Sequence, residues 1–102
     1  MKVRWNRQSK EQLRQTVQYI HREFGQKARD EFLQAVRQTN NLLADNPHLG
    51  PLETLLADLP SKYRSIVVRH LNKIVYRIEE THIEVVAFWD CRREPQQQAQ
   101  NL

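Results

Sequence analysis

The fold of this chain is decided by three consecutive segments: KYRSIVVRH (residues 62–70), LNKIVYRIE (residues 71–79) and HIEVVAFWD (residues 82–90). All three are rich in β-branched and aromatic residues, which fit the half-buried surface of a β-sheet. Short polar breaks separate them, at Leu71-Asn72 and at Glu80-Thr81. The pattern predicts a meander of three antiparallel strands.

Side chains alternate between the two faces of a strand, so the predicted meander has one apolar and one mixed face. The apolar face would carry Arg64, Ile66, Val68, Ile74, Tyr76, Ile78, Ile83, Val85, Ala87 and Trp89. The mixed face would carry Tyr63, Val67, Arg69, Val75, Arg77, Glu84, Val86 and Phe88. We therefore expect the first face to be covered and the second to be at least partly solvated.

The first half of the chain can supply that cover. Residues 2–6 suggest a short first strand, and Ser9 with Gln12 forms a capping-box pattern at the start of a helix. Gly25 is suited to end this helix, because glycine readily adopts a left-handed conformation. The apolar stripe of the helix is Leu13, Val17, Ile20 and Phe24.

A second helix is predicted from about Gln26 to Asp45, where Asn46-Pro47 stops it. Its stripe is Ala28, Phe32, Ala35, Val36, Thr39, Leu42 and Leu43. The short break at Gly25 forces an antiparallel helical hairpin. Four leucines follow, Leu52, Leu55, Leu56 and Leu59, and their spacing indicates a helical turn or a packed loop.

The predicted fold class is therefore α+β, in the order β-α-α-β-β-β, with an antiparallel two-helix hairpin packed on a small antiparallel sheet. A chain of 102 residues has room for one hydrophobic core. We expect a single domain over residues 1–95 and a flexible, Gln-rich tail over residues 96–102, which has no periodic apolar face.

Composition limits the classes of function. The net charge of +4 and the pI near 9.6 favour acidic partners. The four histidines are scattered and only two glycines are present, so we expect no metal site, no Gly-rich phosphate loop and no cofactor. The chain has one cysteine, no apolar N-terminal segment and no run of the ~20 apolar residues that a membrane span requires, so a cytoplasmic protein is expected.

The order of the predicted elements, and the residues at several positions within them, resemble the RelE/ParE superfamily of toxins from type II toxin–antitoxin modules. The resemblance covers about residues 3–95. It is carried by Tyr19-Ile20, Phe24-Gly25, Ala28, Phe32, residues 43–47 with Gly50, residues 63–68, residues 73–77, and residues 88–93.

The resemblance implies a compact toxin that is neutralised by a cognate antitoxin, in a toxin–antitoxin hetero-oligomer. RelE-like members cut mRNA in the ribosome, whereas ParE-like members bind DNA gyrase without cleavage chemistry of their own. The long helical hairpin and short tail are more similar to ParE-like members. After Arg93 there is no Tyr, Lys or His, although some RelE-like enzymes depend on a C-terminal tyrosine.

Metal-independent RNA cleavage needs a base, an acid and cations for the phosphate. By resemblance, Arg64 and Arg93 (or Arg92) would clamp a phosphate. The lysine pair and the C-terminal tyrosine of some RelE-like enzymes have no clear match here, and His70, with Lys62 and Lys73 nearby in sequence, could replace them. The alternatives are that Arg64 pairs with Asp90 or Glu53, and that His70 and the arginine pair are only solvated.

The surface that binds an acidic antitoxin would comprise Arg64, Arg69, Trp89, Arg92 and Arg93, although Trp89 also suits a packed position. Our first hypothesis is a ParE-like toxin that binds gyrase. The second is a RelE-like, ribosome-dependent endoribonuclease, and the third is a basic binding module or an inactive toxin.

Overall fold

A computed structural model describes residues 1–92 of the chain. The elements are β1 (Lys2–Trp5), α1 (Arg7–Phe24), α2 (Gln26–Asp45), a 3₁₀ turn (Thr54–Leu56), β2 (Arg64–Val68), β3 (Asn72–Ile78) and β4 (His82–Asp90). The predicted order of an α+β fold is confirmed. The predicted boundary at residue 95 and the predicted tail lie outside the described residues.

The four strands form one sheet in the order β1-β4-β3-β2. The β2-β3-β4 meander is antiparallel, as predicted. However, β1 lies beside β4 and runs parallel to it, so the sheet is mixed rather than wholly antiparallel. The reason is that residues 46–63 lead the chain back along the sheet before β2 begins, so β2 and β4 run in the same direction as β1.

A β-bulge in β4 alters the predicted faces of the sheet. Tyr76 pairs with Val85 but Val75 pairs with Ala87, which leaves Val86 as an extra residue. One extra residue moves every later side chain to the opposite face. Phe88 therefore packs in the core under the helices, whereas Ala87 and Trp89 belong to a second cluster on the other face. The predicted faces were wrong for these residues.

The helical hairpin covers one face of the sheet, as predicted. The buried core on that face is Phe32, Val36, Leu43, Val68, Ile74, Tyr76, Ile83, Val85 and Phe88. Two predicted stripe positions are wrong: Phe24 is 68% exposed and Leu42 is 53% exposed. Phe24 is the last residue of α1, and its ring packs edge-on against Tyr19 instead.

The start of α1 also differs from the prediction. Asn6, not Ser9, is the N-cap, and its side chain accepts a hydrogen bond from the Ser9 N–H at 2.8 Å. Ser9 is fully buried, with its hydroxyl near the carbonyl of Val85. The Gln12 side chain accepts from the backbone N–H of Phe88 at 2.7 Å instead of closing a capping box. Gly25 ends the helix at φ 92°, as predicted.

The opposite face of the sheet is covered by residues 51–63 rather than open to solvent. Leu56 packs with Val75, Val86, Ala87 and Trp89. The other three leucines, Leu52, Leu55 and Leu59, stay exposed. Within residues 1–92, neither helix is long and apolar enough to cross a membrane.

Candidate functional site

Arg64, the first residue of β2, is half-buried against the loop of residues 47–50. Its Nη1 donates a hydrogen bond to the carbonyl of Gly50 at 2.8 Å. The buried Tyr76 hydroxyl holds the same loop, since it donates to the Pro47 carbonyl at 2.8 Å and accepts from the Gly50 N–H at 2.9 Å. Arg64 therefore pairs with neither Asp90 nor Glu53, the two partners considered from the sequence.

The loop must approach β2 closely, and only glycine allows this at position 50. A Cβ on Gly50 would lie 2.5 Å from the backbone oxygen of Ser65. Burial raises the pKa of the Tyr76 hydroxyl, although the Gly50 N–H and the Arg64 charge act to lower it. The phenol therefore stays protonated at neutral pH and can donate to the loop.

Lys73 forms an ion pair with Glu53 on the face covered by residues 51–63. Glu53 also accepts from the Ser65 hydroxyl at 2.9 Å and from the Leu55 N–H at 3.0 Å. Burial opposes the charge of Glu53, but these hydrogen bonds and Lys73 hold its pKa below the ordinary value. The Lys73 ammonium also lies 5.3 Å from the centroid of the Trp89 ring. Both Lys73 and Glu53 therefore already have partners within the protein.

Arg69 and His70 form the turn between β2 and β3. Both are exposed and have positive φ values, 51° and 72°. The carbonyl of Leu71 accepts from the N–H of Cys91 at 2.7 Å, so this turn lies beside the end of β4.

Trp89 and Arg92 differ in exposure. Trp89 is 2% exposed and packed, and its buried indole N–H has no hydrogen-bond partner among the described residues. Arg92 is on the surface and pairs with Asp90 through Nη2 and Oδ2 at 3.0 Å. Arg93 lies outside the described residues.

The structure separates Arg64 from Arg69, His70 and Arg92. Arg64 pairs with Tyr76 across the sheet, whereas Val68 pairs with Asn72, which in turn pairs with Asp90. Arg64 and Val68 are four residues apart along β2. At the usual rise per residue of a strand, this corresponds to a distance of roughly 13 Å. The end of the sheet at Val68, Asn72 and Asp90 carries Arg69, His70 and Arg92. Arg64 lies at the opposite end of β2.

Arg64 is instead brought together with Lys62, which the sequence analysis considered only as a neighbour of His70, and with Arg77 and His48, which it did not select. A cavity of about 430 Å³ is lined by His48, Ser61, Lys62, Arg64, Arg77, Ile78 and Glu79, and we call it the basic pocket. The proximity of Lys62 to Arg64 in sequence was the available signal. The contribution of Arg77 could not be read, because it depends on the pairing of β2 with β3.

A second concave surface lies between β1 and the helical hairpin. This groove has a volume of about 590 Å³ and is lined by the apolar residues Val3, Trp5, Leu13, Val17, Leu33 and Val36. Four cationic residues, Arg4, Lys10, Arg14 and Arg37, also line it, together with Asn40. We call it the hairpin groove. Sequence reasoning missed it, because Leu33 lies outside the stripe predicted for α2.

A third cavity, of about 400 Å³, lies between α1 and the end of β4. Tyr19, Phe24, Leu71 and Arg92 contribute to its lining. It is adjacent to the Arg69-His70 turn. Among the described residues, no group of three or more His, Cys, Asp or Glu side chains could hold a metal ion.

Comparison with protein families identifies this architecture. The family model described as "ParE toxin of type II toxin-antitoxin system, parDE" matches residues 3–95. The chain belongs to the ParE toxin family. It is therefore the toxin of a type II toxin–antitoxin system, and a cognate antitoxin is its partner. No curated protein sequence matches it significantly.

Solved structures share the ParE fold at low sequence identity. A chain of the chromosomal ParDE system from P. aeruginosa has a TM-score of 0.71 at 13% identity, covering 88% of this chain and 95% of that one. The YoeB/ParE toxin from Agrobacterium tumefaciens has a TM-score of 0.59 at 19% identity, covering 88% and 98%. The YoeB dimer from Staphylococcus aureus has a TM-score of 0.58 at 18% identity, covering 85% and 92%.

Proposed function

We propose that this ParE-family toxin arrests growth by binding DNA gyrase and is not itself a nuclease. The observation that carries the proposal is the Lys73–Glu53 ion pair. Lys73 was a candidate for proton transfer, yet its ammonium is held by Glu53 and packed over Trp89. A general acid or base must reach the substrate proton, and a lysine engaged in this way is poorly placed to do so.

The separation of the remaining candidates supports the same proposal. Arg64 lies at one end of the sheet, and His70 lies in the turn at the other end. A phosphate clamp and an acid or base that serve one scissile bond must lie within a few ångströms of it. A toxin that acts by binding has no such requirement.

The hairpin groove is a suitable surface for the cognate antitoxin. Its floor is apolar, and Lys10 and Arg37 on its rim are exposed and have no ion-pair partner among residues 1–92. An amphipathic segment with acidic residues beside its apolar stripe would fill the groove and neutralise both charges. The exposed Arg69 and Arg92 remain proposed contacts for further acidic residues.

A RelE-like, ribosome-dependent endoribonuclease is the second candidate. The observation that favours it is the half-buried guanidinium of Arg64, which no carboxylate of the described residues neutralises and which suits a phosphate. In that case His70 would need to approach the RNA from the exposed turn.

Inducible expression without the antitoxin distinguishes these functions. We expect growth arrest with DNA-damage signalling, loss of supercoiling by purified gyrase when the purified toxin is added, and normal translation in a cell-free extract. Arrest of cell-free translation with truncated mRNA, abolished by His70→Gln and retained by His21→Gln, would establish the nuclease instead. Absence of any growth defect would indicate an inactive module.

Co-expression of the antitoxin then tests the hairpin groove. The double variant Lys10→Glu, Arg37→Glu should stay toxic but escape neutralisation. Its two new glutamates would repel the acidic residues of the antitoxin. The matched control is Arg22→Glu, Lys27→Glu, which alters the same two helices away from the groove. Equal neutralisation of the two double variants would exclude the groove as the antitoxin surface.

A further inference from the structure

We propose that the basic pocket binds a phosphate group of a nucleic-acid strand. The inference goes beyond the binding of gyrase and the antitoxin, since it assigns a nucleic-acid ligand to this pocket, in which Arg64 was so far considered as an antitoxin contact. It also differs from a clamp formed with Arg92 or Arg93, because the partners of Arg64 here are Lys62, Ser61 and His48.

Arg64 is prepared for an anion by its own contacts. One N–H of its guanidinium is held by the Gly50 carbonyl, which leaves four further N–H donors. The loop that carries this carbonyl is fixed by the two hydrogen bonds of Tyr76. The guanidinium is half-buried, and no carboxylate among residues 1–92 pairs with it. A half-buried cation that is held in place and lacks a counter-charge favours a bound anion.

The charges of the pocket sum to a positive excess. Arg77 and Glu79 neutralise each other in an ion pair, and Tyr63 also hydrogen-bonds to Arg77. Lys62 is exposed, and no described residue forms an ion pair with it. The excess therefore comes from Lys62 and Arg64. A guanidinium fork, an ammonium group and the Ser61 hydroxyl together match the oxygens of a phosphate.

The lining also indicates which part of a nucleotide is bound. Ile78 is its one apolar residue, and His48 is the only residue with an aromatic ring in the described lining, which has no Phe, Tyr or Trp. Recognition of unpaired bases depends mainly on aromatic side chains that stack on them. The pocket is therefore suited to a backbone phosphate, which it would bind without sequence preference.

The test compares two charge-matched variants, Lys62→Gln in the pocket and Lys27→Gln on the exposed start of α2. Binding of the full chain to a short DNA duplex and to an RNA of the same length is measured by fluorescence anisotropy over a series of salt concentrations. Lys62→Gln should weaken binding roughly threefold to tenfold and reduce the slope of log K against log salt by about 0.9, with Lys27→Gln close to wild type. Comparison of the two probes separates DNA from RNA as the source of the phosphate.

Amide chemical shifts in a titration with inorganic phosphate provide the second measurement. We expect shifts confined to residues 48–50, 61–64 and 77–79 in wild type, and smaller shifts in Lys62→Gln. Equal effects of the two variants on nucleic-acid binding, or phosphate shifts spread over all basic residues, would overturn the proposal. Both results are independent of gyrase, so they cannot be confused with failure of the proposed function.

Discussion

At the scale of single residues, two buried carboxylates are kept charged by their partners. Glu53 is held by Lys73, Ser65 and the Leu55 N–H, and Glu84 contacts Arg4 Nε at 2.9 Å and His82 Nε2 at 2.8 Å. Burial raises the pKa of each group, but the hydrogen bonds and neighbouring cations hold both pKa values below the ordinary 4.5. Because the unfolded chain binds these protons more readily, the stability that the two groups contribute is lost as the pH falls below about 4.5.

Glu53→Gln should remove part of this dependence. At pH 7 the variant should lose roughly 2 kcal/mol of unfolding free energy, because Lys73 keeps its charge without a counter-charge. Towards pH 3 its difference from wild type should shrink, because wild-type Glu53 also becomes neutral. Urea unfolding at several pH values measures both effects, with the exposed Glu31→Gln as control. An unchanged pH profile in Glu53→Gln would show that another group dominates acid unfolding.

Arg64 illustrates what the sequence could predict at this scale. Arg64 is the one charged residue on the predicted apolar face, and the sequence offered Asp90 and Glu53 as its partners. Its partner, however, is a backbone carbonyl of Gly50. The charges in a sequence indicate possible ion pairs. They do not indicate which backbone carbonyl the fold will place beside a given arginine.

At the scale of elements, the bulge in β4 is the feature that sequence reasoning could not locate. Residues 85–89 read Val-Val-Ala-Phe-Trp, all apolar, so no change of polarity marks the point at which the alternation shifts. Helix α2 was predicted with its observed ends, because Gly25 and Asn46-Pro47 mark them with backbone chemistry. The ends of α2 were therefore easier to predict than the strand faces.

Helix α1 contacts β4 directly after the bulge, since the Gln12 side chain accepts a hydrogen bond from the backbone N–H of Phe88. Gln12→Leu should leave this donor unsatisfied and cost about 1–3 kcal/mol of unfolding free energy. The amide of Phe88 should also exchange faster with deuterium. Gln12→Glu, which keeps an acceptor oxygen, and the exposed Gln18→Leu serve as controls. If Gln12→Leu and Gln18→Leu exchange and unfold alike, the contact does not support the bulge.

At the scale of the whole molecule, the sheet is packed on both faces, and each cluster contains or contacts one tryptophan. Trp5 packs against the core under the helices and donates to Asn40 Oδ1 at 2.8 Å, whereas Trp89 is buried in the cluster under Leu56. The two clusters share β3 and β4. We expect them to unfold together, as small single domains usually do.

Single-tryptophan variants test this cooperativity. Trp89→Phe leaves Trp5 as the reporter and Trp5→Phe leaves Trp89, so fluorescence follows one cluster at a time. In each variant, the urea midpoint from fluorescence should match the midpoint from far-ultraviolet circular dichroism. An earlier fluorescence midpoint in Trp5→Phe would contradict the expectation and would show that residues 51–63 detach before the helices unfold.

The parallel pairing of β1 with β4 has a consequence for biosynthesis. Lys2 pairs with His82 and Trp5 with Val85, so residues 80 positions apart in the sequence are neighbours in the sheet. A growing polypeptide cannot complete this sheet until β4 has emerged from the ribosome. The sheet is therefore complete only after residues 82–90 have been synthesised, so we expect no shorter nascent chain to hold the finished fold.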